Sequence, residues 1–295
     1  MITRRKLIPA AAGVVALGGL GRLGGVAAQD ATPGSSPVAL PVGSPVVASI
    51  DELPLKNAGK LTPHADQPLY PPWFIDNDPS NGKGFESALT YKIAERLGFT
   101  ADQVEWGYTS FNTSYAPGPK DFDFYITEVS ITEPRKEAVD FSDPYYRSPL
   151  VLLAVDGSPV FEAKTLEDLR QYTFGAQVGT TYYSYITEVI KPENDPLIFN
   201  TNADSIQALV NGQTDADLQS LQIAQFVVSD SQFPELGMVG VLPGGETDMG
   251  MVFEKGSELV PYVNLALQSL KDDGTLDALI AEWLPVPEDL PEIAE

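Results

Sequence analysis

Residues 125–146 read YITEVSITEPRKEAVDFSDPYY. One strand-like run, FDFYITEV at 122–129, leads into this stretch, and a second, SPLVLLAV from Ser148, leads out of it. Within residues 125–146 a lone arginine, Arg135, follows the small hydroxyls Ser130 and Thr132. In extended backbone Glu128 and Ser130 share one face, so an acid and a hydroxyl point the same way just ahead of that arginine. Two roles are open to Arg135 at this level: a surface salt bridge with Glu133 or Glu137, or a cation placed inside a cleft.

Bases are scarce in this chain. Its 295 residues carry 18 Lys and Arg against 41 Asp and Glu, a formal net charge of -23. Four of those bases, Arg4, Arg5, Lys6 and Arg22, lie in the first 28 residues, which hold no acid. So negative a surface repels phosphate backbones and anionic headgroups, which speaks against nucleic-acid and peripheral membrane binding and suits solubility. Apolar residues make up 43% of the chain, enough for a real core, and the length suits two domain-sized units. Cysteine is absent, which removes thiol catalysis, zinc-finger sites and the acylated cysteine of a lipoprotein. The single histidine, His64, reads as a surface or pocket-edge residue. No cofactor or metal motif is found. DNDPSNG at 76–82 has Asn81 where a calcium loop needs glycine and Ser87 where it needs a bidentate Glu, so it reads as a polar turn.

The N-terminus is an address. Residues 1–28 combine a basic start, a Gly- and Ala-rich apolar stretch and a small-residue exit at Val26-Ala27-Ala28, the pattern of a secretory signal peptide. Arg22 and the glycines interrupt the apolar run too often for a spanning helix. TRRKLI at 3–8 resembles a twin-arginine export motif, and an ordinary secretory signal containing two arginines is the alternative. Residues 29–59, rich in Pro, Gly and Ser, read as a flexible leader, with folded structure expected from near Gly59.

Along the folded part, strands and helices alternate. Phe85, Leu89, Ile93, Ala94 and Leu97 recur at helical spacing, and Gly98 stands where a left-handed C-cap belongs. Thr165, with Asp168 three residues on, opens a helix by a capping-box-like pattern. The strand TFGAQV, a loop with Gly179-Thr180-Thr181, the strand LIFN, a helix stopped by Gly212, the strand ADLQS, a helix from Leu221 and the strand MVGVLP follow. Two more helices, near Ser257 and Thr275, close the chain. This order predicts an α/β architecture with helices on both faces of each sheet.

Five segments in order now carry a family resemblance: NGKGFESALTYKIAERLGF, VSITEPRKEAVDFSDPYY, GAQVGTTYY, VNGQTDADLQS and LKDDGTLDALIAEWL. Together they resemble the amino-acid-type solute-binding proteins of ABC importers, the extracellular family 3, over about residues 60–285. The resemblance implies a two-lobed periplasmic-binding-protein fold of type II, each lobe a sheet flanked by helices, the lobes joined by two hinge strands. Lobe 1 would be 60–151 and 251–288, lobe 2 152–250, and 289–295 an acidic tail. The outward crossing is expected near 150–155 and the return near 246–252, with ligand between the lobes at the strand ends. It also implies no cofactor, a monomer, a small-molecule ligand with a carboxylate, an amino acid first of all, a membrane permease as partner, and a periplasmic or extracellular location.

The same resemblance assigns roles. Arg135 falls at the family's carboxylate clamp, where a planar guanidinium offers two parallel charge-assisted donors. Ser130 matches a ligand-contacting hydroxyl, and Thr181, with Thr180 beside it, a lobe-2 group that closes on the carboxylate. Tyr70 matches an aromatic that packs on the ligand side chain, with Phe111 as the opposite wall, whereas Trp73 reads as core. The pattern breaks at Ser220, which stands where many relatives have an aspartate for the ligand ammonium. Either Glu128 or Asp217 replaces that charge, or the ligand is not an ordinary α-amino acid; Glu128 is the preferred candidate, and its alternative is a pair with Arg135 in the empty protein. A second break is NTSYAPGPK at 112–120, which reads as a rigid loop where relatives often have a helix.

Two other functions compete with binding. The fold also resembles prephenate- and arogenate-type dehydratases, in which a cleft carboxylate does acid/base chemistry, a role open to Glu128. A receptor ectodomain is the third reading, disfavoured because no membrane helix or signalling module follows the acidic tail.

Overall fold

The computed structural model describes residues 44–229, 233–287 and 289–295, so the predicted export signal at 1–28 lies outside the described residues. The apolar spacing read in the sequence forms a helix, α1 (Phe85–Arg96), whose Phe85, Leu89, Ile93 and Ala94 are buried. Gly98 follows at φ 88, the left-handed turn that leaves the helix without a Cβ clash.

The first sheet takes β1 (Pro63–Ala65), β2 (Gly107–Tyr108), β3 (Phe124–Tyr125) and β4 (Val139–Phe141), with α2 (Phe111–Ser114) and α3 (Glu133–Ala138) between them. The chain then passes through β5 (Tyr146–Ser148) into a second sheet. That sheet holds β6 (Leu150–Val155), β7 (Phe174–Gln177), β8 (Leu197–Phe199), β9 (Ala216–Ser220) and β10 (Leu236–Val241). Its helices are α4 (Leu166–Leu169), α5 (Thr181–Tyr185), α6 (Asn202–Val210) and α7 (Leu221–Ser229). β11 (Thr247–Met249) leads back to β12 (Val252–Glu254), and α8 (Val260–Asp272) and α9 (Thr275–Trp283) pack with α1. The strand orders are β2-β1-β3-β12-β4 and β10-β6-β9-β7-β8. Both sheets are mixed: β1 runs parallel to β2 and β3, and β9 parallel to β7, while β12 and β6 run against their neighbours.

Several expectations shift. The outward crossing is β5, not 150–155: β5 pairs antiparallel with β11, Arg147 opposite Asp248, as a separate two-stranded hinge. β6 sits inside the second sheet instead, because residues 150–154 are all buried and need cover on both faces. The strand runs at 104–111 and 122–129 shorten to two paired residues each, and the 112–120 segment enters through the short helix α2 before its loop. Folded structure starts earlier than Gly59: Val46 N–H donates to Arg96 O at 2.6 Å and Leu53 is buried. His64, expected at a surface or pocket edge, is buried in β1 with Nδ1 2.8 Å from Thr109 Oγ1.

The acidic tail is also structured. Val241 N–H donates to Pro291 O at 2.8 Å, Ile293 N–H to Val241 O at 2.9 Å and Ala294 N–H to Lys164 O at 2.8 Å. Ile293, 4% exposed, belongs to the apolar cluster of the second sheet. After α9 the chain therefore returns to the second sheet and crosses between the sheets a third time. Ile293→Ala should cost about 2–4 kcal/mol of stability, read as a lower urea midpoint, the range for emptying a buried aliphatic site.

Candidate functional site

The ends of the strands in both sheets converge on one cleft, and the first of its groups to be fixed is Arg135. Thr132 caps α3, its Oγ1 accepting from Arg135 N–H at 3.4 Å, and Pro134 occupies the first turn, which needs no N–H there. Helical side chains lean toward the N-terminus, so Arg135 reaches back over Ser130. Its Nη1 donates to Ser130 O at 2.7 Å and Nη2 to Gly179 O of the second lobe at 3.0 Å. Cζ lies 4.3 Å from the Tyr115 ring centroid and 5.4 Å from that of Phe111. The salt bridges open to it in the sequence do not form: Glu133 pairs with Lys136 at 2.8 Å, and among the described residues Arg135 has no carboxylate partner. Burial lowers the guanidinium from its ordinary value, opposed by Tyr115, Tyr182 and Tyr125. A buried cation whose partners are carbonyls and ring faces retains part of its desolvation cost.

Hydroxyls meet beside it. Ser130 Oγ lies 3.0 Å from Thr247 Oγ1 in the hinge and 3.4 Å from Thr181 Oγ1 on α5. Thr180 caps α5 through its Oγ1, which accepts from Tyr183 N–H at 3.4 Å. Tyr70 and Phe111 line the same cleft. Ser220, at the end of β9, lies behind it in a small adjoining cavity with Ser130 and Tyr182.

Glu128 links the two. It has φ 50, a left-handed conformation unusual for a residue with a Cβ. Its N–H donates to Glu86 Oε1 at 2.7 Å, and its Oε2 accepts from Ser220 Oγ at 3.0 Å across the cleft. It does not pair with Arg135. Burial first, and the neighbouring Glu86 second, push its carboxyl well above the ordinary range, against the Ser220 hydrogen bond. Asp217, the other candidate for the missing charge, is turned away: it is fully buried behind β9, held by Ser205 Oγ and, at 2.6 Å, by Gln219 Nε2.

The eight residues singled out in the sequence thus fall into one region, seven lining the cleft and Ser220 touching it through Glu128. Sequence reasoning missed Asp66, Tyr115, Tyr182 and Asn202. Asp66 ends β1 and its carboxyl is raised by burial against hydrogen bonds from Gln67 and Phe111 N–H; an acid closing a buried strand was its one available signal. Tyr182 follows Thr181 directly, and its OH accepts from Ser220 N–H at 3.1 Å. Tyr115 donates to Gly179 O at 3.1 Å across the lobes, which no local pattern announces.

Residues 62–286 match the sequence profile described as "Bacterial extracellular solute-binding proteins, family 3". The chain belongs to this family. The solute-binding protein is 29% identical over 215 residues to the L-cystine-binding protein TcyJ of Escherichia coli (strain K12), covering 72% of this chain and 79% of that protein. It superimposes with a TM-score of 0.63 on the arginine-, lysine-, histidine-binding protein ArtJ of Geobacillus stearothermophilus, 25% identical, covering 78% of this chain and 97% of the other. A third likeness, at 29% identity and a TM-score of 0.63 over 77% of this chain and 96% of the other, is to the ancestral amino acid-binding protein AncCDT-1, a precursor of cyclohexadienyl dehydratase. The fold is the two-lobed type II arrangement, and members of this family serve extracellular solute capture for ABC importers. Among the described residues no helix is long and apolar enough to cross a membrane.

Burial also pushes Asp217 and Glu86 up to about 7. Between the ordinary carboxylate range and that value the folded protein holds protons that the unfolded chain has lost. Their stabilising effect is therefore full at low pH and falls as pH rises through this window. Asp217→Asn removes one of the two contributions, so its stability relative to the native chain should rise between about pH 4 and pH 7, by up to about 1.4 kcal/mol per pH unit, in urea unfolding.

Proposed function

We propose that this family member captures a free α-amino acid between its lobes, outside the cytoplasmic membrane, and delivers it to an ABC-importer permease. The observation that carries this reading is the buried Arg135, which lacks an anion among the described residues while Ser130 and Thr181 stand beside it. A ligand carboxylate supplies the missing charge, and a planar guanidinium accommodates both of its oxygens. The ligand ammonium goes to Glu128, in place of the aspartate that Ser220 replaces, and the side chain lies between Tyr70 and Phe111 toward Asp66. The ligand touches both lobes only when they close, so its binding shifts the population toward the closed form. The amino acids in the names of the related proteins support the ligand class.

An enzymatic reading has one specific support: a protonatable acid, Glu128, in the same cleft as Arg135, together with the likeness to a dehydratase precursor. Turnover of prephenate, followed by product absorbance, would establish it and set the transport reading aside.

A thermal-shift panel of amino acids identifies the ligand, since a native-state ligand raises apparent stability by mass action. With that ligand, Arg135→Ala should weaken binding by about 2–5 kcal/mol in titration calorimetry, and unchanged affinity removes Arg135 from the clamp. Glu128→Gln should erase most of the preference for an amino acid over its deaminated analogue. If that preference survives, another group holds the ammonium.

A further inference from the structure

We infer that Glu86 and Glu128 hold one proton between them in the empty cleft and release it to solvent when an ammonium group docks, so that solute capture is proton-linked. The inference rests on the reading that an amino acid's ammonium meets Glu128.

The geometry begins at Glu86. This acid lies on α1 with no exposed surface, where its Oε1 accepts from both Glu128 N–H and the Tyr145 hydroxyl, and its Oε2 has no hydrogen-bond partner. The first of those bonds holds the left-handed turn at Glu128 and so aims the Glu128 carboxyl across the cleft at Ser220. Glu86 is in this sense a positioning residue. It is also a second acid against the first, in a place water does not reach.

Each element packed around the pair adds hydroxyls or further acids. Tyr145 comes from the segment before β5, Tyr125 from β3, Tyr70 from the loop after β1 and Tyr182 from α5. Asp66 lines the cleft, Asp217 lies behind β9, and the cation of the cleft, Arg135, spends its hydrogen bonds on Ser130 O and Gly179 O. An ionised Glu86 would lack solvation and repel an ionised Glu128, itself half-buried at the cleft wall, so the pair keeps a proton. Burial pushes Glu86 up to about 7 and Glu128 well above its ordinary value, which puts the exchange near neutral pH. When R–NH3+ arrives it favours the ionised Glu128. The neutral acid then becomes a carboxylate paired with the ammonium, and its proton passes to buffer. Affinity should rise with pH across this range, by up to about tenfold per pH unit for one proton.

Calorimetry with the twenty common L-amino acids and L-cystine, in phosphate and in Tris near pH 7, counts the proton. For whichever probe binds, the expected result is a binding heat that differs between the buffers by the release of a substantial fraction of one proton. Glu86→Gln keeps an oxygen to accept Glu128 N–H but removes one charge. It should bind with less proton release and move the pH midpoint of binding down by about one unit or more, which a merely structural role for Glu86 would not do. Binding with the same heat in both buffers overturns the inference and leaves the amino-acid reading standing. If no probe binds, the amino-acid reading fails, and the shared proton is decided in the ligand-free native protein by carbon NMR of labelled glutamate carboxyls. Resonances that titrate near neutrality, one lost in each of Glu86→Gln and Glu128→Gln, support the pair, whereas no such titration overturns it.

Discussion

Burying a guanidinium without a carboxylate commits the surrounding backbone to serve it. Arg135 is 7% exposed, and carbonyl oxygens and aromatic faces, not anions, surround it. One of those carbonyls, Ser130 O, belongs to the first lobe and the other, Gly179 O, to the second. The cation is thus anchored to one lobe and hydrogen-bonded to the other, and the closed arrangement partly solvates a charge that opening would expose to water. Carbonyl dipoles and ring faces offset only part of the desolvation of a full charge. That uncompensated remainder is the physical ground of the proposed carboxylate site beside Ser130 and Thr181.

The acids are set apart from that cation. Glu128 is turned by a left-handed backbone toward Ser220, and Asp66 stands at the end of β1. A non-glycine residue in that conformation costs on the order of 1–3 kcal/mol and persists only where its surroundings over-determine it. Here the Glu86 carboxyl does so, by accepting the Glu128 N–H. The turn departs from the extended alternation that would set Glu128 on the face of Ser130. Glu128 and Arg135 therefore make no salt bridge, each spending its side-chain hydrogen bonds elsewhere. Separation of the charges is what the proposed capture of a zwitterion rests on.

Local signals were legible and distant ones were not. The spacing of Phe85, Leu89 and Ile93 marked α1, the Thr165–Asp168 pattern marked a capping box, and the order of five motifs placed Arg135, Ser130 and Thr181 near one another. Each of these rests on residues within a turn or two, or on a whole segment. The turn at Glu128 was not legible, because its cause, Glu86, is 42 residues away. Tyr115 was passed over for the same reason, its partner Gly179 being 64 residues distant. The terminal segment misled for a different reason: acidic and Pro-containing, it has the composition of a solvated tail, yet the buried Ile293, with Leu290 partly buried, and four backbone hydrogen bonds dock it.

That docking changes the mechanics of closure. With β5 and β11 alone, the lobes turn about a two-stranded hinge, and rotation is resisted mainly by contacts across the cleft. The segment after α9 adds a third connection: Pro285 O accepts from Gln225 Nε2 of α7 at 3.3 Å, and Pro291 and Ile293 pair with Val241 of β10. Both of those anchors belong to the second lobe, whereas Leu284 N–H still donates to Ile280 O of α9, so the segment changes lobes between Leu284 and Pro285. The prolines at 285, 287 and 291 have φ already fixed near one value, so they absorb little. Any turning of the lobes is therefore taken up at the step from Leu284 to Pro285 together with β5 and β11, three connections where two hinge strands alone were expected.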